Sequence, residues 1–350
     1  MNKRNVKWLF SAPLDLAVFG GTALVALILV AMMPAHESGT GTFVVGVILV
    51  DVAHVWSTAF IVYLDPAEWR RRPGLYAGVP LACFAVGVAL YAYGGDGAFW
   101  TAIAYLAVFH FIRQQYGWVM MYRARNGERD RTGRIVDGAT VYLATLYPLA
   151  WWHARLPRAF SWMKDGDFIA GAPSSLATIV GIAYAIALAA YIARAVWQVA
   201  TRQSISWGKH LIVATTAACW YVGIVATNSD YAFTVTNVFT HGIPYMVLVY
   251  LYARAASREP ASRSGVTARM LKTRGIVVFV ATLWLVAYVE EMLWDRTIWH
   301  DHGGLFGGGL NVGAAAIVIA PLLAVPQLTH YVLDGLLWKR AKNPRLGRLL

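Results

Sequence analysis

Ten apolar stretches of about 20 residues recur along this chain, at 14–34, 42–64, 75–93, 98–122, 135–154, 173–200, 207–227, 231–253, 275–293 and 311–338. As helix, a run of that length crosses a hydrocarbon layer ~30 Å thick. Lipid offers the backbone no hydrogen-bond partners, so only helices and closed barrels span it. A barrel needs alternating segments of about ten residues, and none is present. The expected fold is therefore all-α: a polytopic membrane bundle of about ten transmembrane helices, forming one domain over residues 1–350. Composition agrees, since only 14% of residues are charged against about 25% in soluble domains.

Net charge is +12, which in a soluble chain would suggest nucleic acid. Its placement argues otherwise. Twenty-five of the 30 Lys and Arg fall in the N-terminus, the tail and alternate connections: Lys3, Arg4 and Lys7; Arg70–Arg72; the run from Arg123 to Arg134; Arg194, Arg202 and Lys209; the run from Arg254 to Arg274; and Lys339 to Arg348. Four (Arg155, Arg158, Lys164 and Arg296) fall on the opposite side, and Arg113 lies deep within a span, whereas Arg194 and Lys209 lie at span ends. The positive-inside rule turns this asymmetry into both termini in the cytoplasm, in a cell membrane of bacterial inner-membrane type. A basic face suits anionic lipid headgroups rather than nucleic acid.

Residues 1–34 imitate a signal peptide, but the apolar run is too long for one, and an uncleaved first helix is expected. Cys83 and Cys219 lie in apolar spans with no paired spacing and read as small packing residues. The breaker-rich segment after Arg254 is expected to be a mobile linker. Gly303–Gly309 lacks the Lys-Ser/Thr ending of a phosphate loop and reads as a flexible re-entry.

Ionisable side chains are costly in a bilayer and mark functional sites. Four even-numbered stretches carry them with helical spacing: Asp51, His54 and Thr58; His110, Arg113 and Gln114; Asn237, His241 and Tyr245; Gln327, His330 and Asp334. Counting to the basic flank that follows each stretch gives 16, 13, 13 and 9 residues for His54, His110, His241 and His330. At 1.5 Å per residue, these four imidazoles fall in one slab about 10 Å deep.

Neutral imidazole ligates iron, zinc or copper, and each ring wants an acceptor that fixes its tautomer. His54, His110, His241 and His330 are the candidate ligands, with Asp51, Asp334 or Gln114 completing the shell of one non-haem iron or a two-metal centre. Arg113 would pair with an Asp or grip an anionic substrate group, and Tyr245 would donate a proton. The expectation is a metal-dependent oxidoreductase or oxygenase that takes a lipophilic substrate from the bilayer: an acyl chain, an isoprenoid or a quinone. An electron donor or membrane-complex subunits would be its partners. Two alternatives stay open: a haem b protein with bis-His ligation, and a proton-coupled transporter relaying through the buried Asp and His. Single intramembrane histidines also serve simply as hydrogen bonds between helices. A second group, Trp299-His300-Asp301-His302 with Glu290, Glu291 and Asp295, lies on the outer side and would chelate only in extended structure. Asp15 and Asp65 sit near the inner boundary, where they would join the site or face water, and His36, His153 and His210 lie near interfaces.

In kind, the histidine layer resembles that of the integral-membrane oxygenases: fatty-acid desaturases, hydroxylases and carotene-cleaving enzymes. No two histidines here are three or four residues apart, so the HxxxH and HxxHH boxes of the desaturases are absent. Haem A synthase is similar in placing single histidines on alternating helices, but its Glu-x-x-His-Arg pattern is missing. The resemblance is one of chemistry and not of motif.

Overall fold

The computed structural model describes residues 7–33, 39–272, 275–339, 343, 345 and 346. Lys3, Arg4, Pro34, His36, Arg274, Arg340, Lys342 and Arg348 lie outside the described residues. The elements among those described are all helical: α1 (Ala12–Met32), α2 (Thr40–Val62), α3 (Pro66–Arg71), α4 (Pro73–Asn126), α5 (Arg131–His153), α6 (Ser174–Ala200), α7 (Trp207–Ala226), α8 (Asp230–Ala256), α9 (Val266–Lys272), α10 (Gly275–Trp299), α11 (Gly303–Phe306) and α12 (Gly313–Leu337). Eight of them (α1, α2, α4, α6, α7, α8, α10 and α12) are long and apolar enough to cross a membrane. By length and composition, the chain is a multi-pass membrane protein.

The ten apolar stretches all lie on helix, apart from their ends and a turn at Ala324. Two of them share α4, whose 54 residues would be about 80 Å long if straight. Gly95 interrupts it with φ 77° and ψ 178°, a conformation that residues with a Cβ rarely adopt. The stretches 75–93 and 98–122 fall on either side of that break. The stretch 135–154 lies on α5, which has 23 residues but is less apolar than the eight.

Two compact units are distinguished by their internal contacts: Met1–Ser38 with Ala104–His241, and Gly39–Ile103 with Gly242–Leu349. In the first, α5 packs along α6, and α7 packs on both α5 and α1. Thr140 bridges α5 to α6 by donating to the Ala187 carbonyl at 3.1 Å. Ile179, Ile182 and Ile186, three and four residues apart on α6, are exposed. An outward apolar stripe of this kind is what lipid, rather than water, selects. The segment between α5 and α6 folds back, and its Phe160, Trp162 and Phe168 pack with Trp152, Trp220 and Phe233. Asp167 accepts the Met163 N–H there at 2.6 Å, and burial raises its carboxyl above the usual range.

The same unit holds a buried ion network. Asp137, fully buried, accepts from the Arg123 guanidinium and, at 3.0 Å, from Lys209 Nζ. Glu128 receives Lys209 at 2.6 Å and Arg123 at 3.1 Å. Lys209, counted from the sequence among the charges of a basic connection, is 1% exposed. Asp15 neither joins a polar site nor faces water. It accepts the Leu9 N–H at 2.7 Å and the Tyr122 hydroxyl at 2.6 Å, so it fixes the entry to α1.

Asp130 caps α5 by accepting the Gly133 N–H at 2.7 Å and meets Arg194 at 2.7 Å. Partial burial alone would raise its carboxyl, but the Gly133 N–H and the Arg194 and Arg123 guanidinium groups outweigh it and hold the pKa at about 2, below the ordinary 3.8. A depressed carboxyl contributes stability that is full above its unfolded value and fades as pH falls toward the folded one. Asp130→Asn keeps the capping acceptor and removes the charge. In the native protein an acid titration of stability is expected to show a loss between pH 3.8 and about 2 that the variant lacks. Because the side chain is 47% exposed, the loss should stay within about 1 kcal/mol. Identical titration of the two proteins would contradict this account.

In the second unit α10 packs on α2, α9 and α12, and α12 also packs on α2. Gly242 of α8 lets its backbone lie against α2, because a Cβ there would meet Val50 Cγ1 at 2.7 Å. Asp65 caps α3 through the Ala67 N–H at 3.0 Å and binds Arg345 at 2.9 Å. Its carboxylate is thus structural, and not part of a histidine site. The Arg345 guanidinium also meets Glu259 at 2.8 Å. Burial would lower its pKa, but the Glu259 and Asp65 carboxylates raise it above the usual arginine value.

The segment after Arg254 is not the loose linker its composition suggests. Ser262 donates to Asp65 at 2.8 Å, and Thr267 donates to the Phe60 carbonyl at 2.7 Å. Both side chains are buried, so short polar residues tie the segment to the end of α2.

Candidate functional site

Within α2, residues Phe43–Val52 form wide, π-helical turns before the chain returns to α-helix at Ala53. Such turns concentrate at functional sites, and Asp51 lies at the end of this one. His54 follows one turn later, 1% exposed, with Nδ1 at 3.5 Å from the Asp51 carboxylate. A carboxylate in that position can orient the imidazole and fix its tautomer.

His330 of α12 lies in the same unit, also 1% exposed. The His54 and His330 ring centroids are 5.0 Å apart with the planes at 83°. Thr58, one turn beyond His54, places its hydroxyl 2.8 Å from His330 Nδ1 and 3.2 Å from the Tyr245 hydroxyl. Tyr245 of α8, 1% exposed, stands edge-on to His330 at 5.0 Å between centroids. Asp334 accepts from the Trp338 indole, and Gln327 donates to the Tyr331 hydroxyl at 2.6 Å. In this unit the structure therefore brings together His54, Thr58, Tyr245 and His330, with Asp51 beside His54.

The other unit contains a second histidine pair of matching geometry. His110 of α4 and His241 of α8 are both buried, with ring centroids 5.0 Å apart and planes at 82°. Phe111 stacks on the His241 ring at 3.5 Å and 5°. Gln114 donates its amide to the His241 carbonyl at 2.8 Å. Its Oε1 is buried and has no hydrogen-bond partner among the described residues. An orphaned carbonyl oxygen beside an imidazole pair is an acceptor that suits a cation.

Arg113 is held by two tyrosines. It is exposed, donates to the Tyr142 hydroxyl, and lies over the Tyr116 ring at 4.9 Å. No ion pair with an Asp is present for it among the described residues. Pro244 and Pro326 lie on helix near His241 and His330 in sequence. Pro244 lies within α8, where it has no N–H to give the Thr240 carbonyl. Pro326 is the second residue of the helical segment that resumes after the turn at Ala324.

The outer group is organised differently. Asp295 accepts the backbone N–H groups of Asp301 at 2.9 Å and His302 at 2.7 Å. His302 packs against the Phe43 ring at 3.7 Å. Among the described residues, these histidines belong to no group of potential metal ligands. Glu290 and Glu291 are buried on α10, and Glu290 accepts from the indoles of Trp56 and, at 3.4 Å, Trp294. His153 is held by the Tyr105 hydroxyl and the Leu149 carbonyl, each at 2.8 Å, and His210 by the Tyr191 hydroxyl at 2.6 Å.

The sequence signals did not reveal the Phe111 stack, because an aromatic beside a histidine in a lipid-spanning stretch looks like any other apolar residue. The Trp56–Glu290 bond joins residues 234 apart, and nothing local announces it. No protein-family model, curated protein or solved structure matches the chain.

Proposed function

We propose that this chain is a membrane-embedded, metal-dependent oxidoreductase acting on a lipid-soluble substrate such as an acyl chain, isoprenoid or quinone. The observation that carries the reading is the edge-to-face packing of buried imidazoles on apolar helices, His54 with His330 and His110 with His241, each at 5.0 Å. Neutral imidazole is a good ligand for iron, zinc or copper, and one ion engages several rings at once. His54 and His330 in one unit, and His110 in the other, are buried histidines of the kind that ligate metal. His241, the Gln114 carbonyl and the Asp51 or Asp334 carboxylate are the further donors in this reading.

Iron bound by such ligands would supply redox chemistry and the open positions that oxygen activation needs. The chain's own residues do the rest. Asp51 and the Thr58 hydroxyl hold the His54 and His330 rings in orientation. Tyr245, within hydrogen-bond reach of Thr58, is placed to deliver a proton. Apolar walls exclude water and admit an apolar substrate from the bilayer. Electrons come from a separate donor or from other subunits of a membrane complex.

The spacing favours a small ion over haem b. Two imidazoles on opposite faces of a haem stand about 6 Å apart between ring centres, given metal–nitrogen bonds near 2.0 Å, and both pairs here are closer. A proton-coupled transporter is the second reading, favoured by Glu290 and Glu291 buried on α10. It requires flux in liposomes that Asp51→Asn abolishes, without bound metal.

In this reading the topology is ten crossings in a bacterial-type inner membrane, with both termini cytoplasmic. Two crossings come from α4, divided at Gly95, and one from α5. The charge asymmetry supports this arrangement.

Elemental analysis of detergent-purified protein tests the function. Iron, zinc or copper is expected at about one or two ions per chain, and largely lost in His330→Ala. Metal content well below one per chain, unchanged by that substitution, would remove the proposal.

A further inference from the structure

A groove of about 450 Å³ opens in the first unit, lined by Tyr116, Arg131, Arg134, Ile135, Gly138, Ala139 and Tyr142. Arg113 is clamped at one side of it, hydrogen-bonded to Tyr142 and lying over the faces of Tyr116 at 4.9 Å and Tyr142 at 6.0 Å. Two guanidinium groups therefore line this concave surface, and a third is held by two of its lining tyrosines. Arg131 and Arg134 are exposed and have no ion-pair partner among the described residues, although Asp130 is their near neighbour in sequence. The carboxylates of Asp130 and Asp137 are already engaged by Arg123, Arg194 and Lys209, so they do not neutralise the groove.

Arg113 is exposed although it sits within an apolar helix, ten residues before Arg123. That corresponds to about 15 Å along the axis. On the neighbouring helix, Arg134 precedes Tyr142 by eight residues, or about 12 Å. The positive charge thus runs from the polar end of α5 inward toward the apolar layer. Its floor is small and apolar, made by Ile135, Gly138 and Ala139. A free inorganic anion would use the outer arginines but gain nothing from that floor. An anionic lipid fits both: a phosphate for the guanidinium forks and an acyl chain for the apolar strip.

We infer that this groove is a binding site for one anionic glycerophospholipid, with Arg131 and Arg134 on the headgroup and Arg113, braced by Tyr116 and Tyr142, on the phosphate–glycerol region. The site is independent of the histidine pairs, and its failure would leave the metal proposal where it stands.

Native mass spectrometry of the full chain, released from nanodiscs of mixed phosphatidylglycerol and phosphatidylcholine, reads the site directly. One phosphatidylglycerol per chain should be retained in preference to phosphatidylcholine. Arg113→Gln with Arg134→Gln should weaken that retention about tenfold. The surface pair Arg131→Gln with Arg134→Gln, which leaves Arg113 and its tyrosines intact, should also weaken it. Arg263→Gln, an exposed arginine elsewhere, should change it by less than about twofold. Excess inorganic phosphate should not displace the lipid. Equal retention by wild type and both double variants, or equal loss in the Arg263 control, would overturn the assignment. Displacement by phosphate alone would do the same, by showing a simple anion site.

Discussion

Thr58→Val is expected to lower the affinity for the proposed metal ion by about 10–100-fold while leaving the fold intact. The valine preserves shape and removes one hydroxyl. That hydroxyl lies 2.8 Å from His330 Nδ1 and 3.2 Å from the Tyr245 hydroxyl. With Nδ1 engaged by Thr58, coordination through His330 uses Nε2, and the ring cannot swing away. Without the hydroxyl the imidazole loses the hydrogen-bond partner that Thr58 sets against Nδ1. Competition with a chelator of known strength measures the change. His330→Ala should go further and abolish binding, whereas Thr58→Ser should stay near the native value because it restores the hydrogen bond. If Thr58→Val binds metal as tightly as the native chain, the Thr58–His330 contact has no part in ligation.

Asp137→Leu should have the largest effect on stability, about 3–5 kcal/mol. Asp137 is fully buried and receives both Arg123 and Lys209. Removing it leaves two buried cations with the partly buried Glu128 beside them and Asp130 reaching Arg123 at 3.2 Å. Combining Asp137→Leu with Lys209→Met should recover part of the loss, since one stranded charge goes with its partner. Thermal unfolding in detergent, followed by tryptophan fluorescence, measures both variants. Additive destabilisation in the double variant would show that Asp137 and Lys209 are not coupled.

The helices were legible because a membrane span writes itself into the chain as a length and a composition. The places where the reading needed the coordinates are those where polarity is local but its partner is distant. Gly95 is one glycine among 31, and only its positive φ marks it as the break inside α4. In sequence Lys209 reads as one charge of a basic connection because its partners Glu128 and Asp137 lie 81 and 72 residues away. The segment after Arg254 has the composition of a mobile linker, yet Ser262 and Thr267 anchor it by contacts to Asp65 and Phe60.

For the candidate site, helical spacing placed Asp51, His54 and Thr58 on one face, and that face carries the contacts to His330 and Tyr245. Equal depth put the four histidines in one slab, but it could not say which rings meet. The pairing of His54 with His330 and of His110 with His241 depends on helix neighbours, which sequence periodicity does not encode. Arg113 was singled out for lying deep in an apolar span, but spacing gave no hint that two tyrosines hold it at an exposed groove.

X-ray absorption at the edge of the proposed metal, measured on the purified native chain, probes the central claim without recourse to activity. Several imidazole rings bound to the ion should produce the outer-shell scattering that rigid histidine ligands give, and that signal should weaken in His54→Ala and in His330→Ala. A first shell of water and carboxylate oxygens alone, with no imidazole scattering in the native protein, would contradict the account.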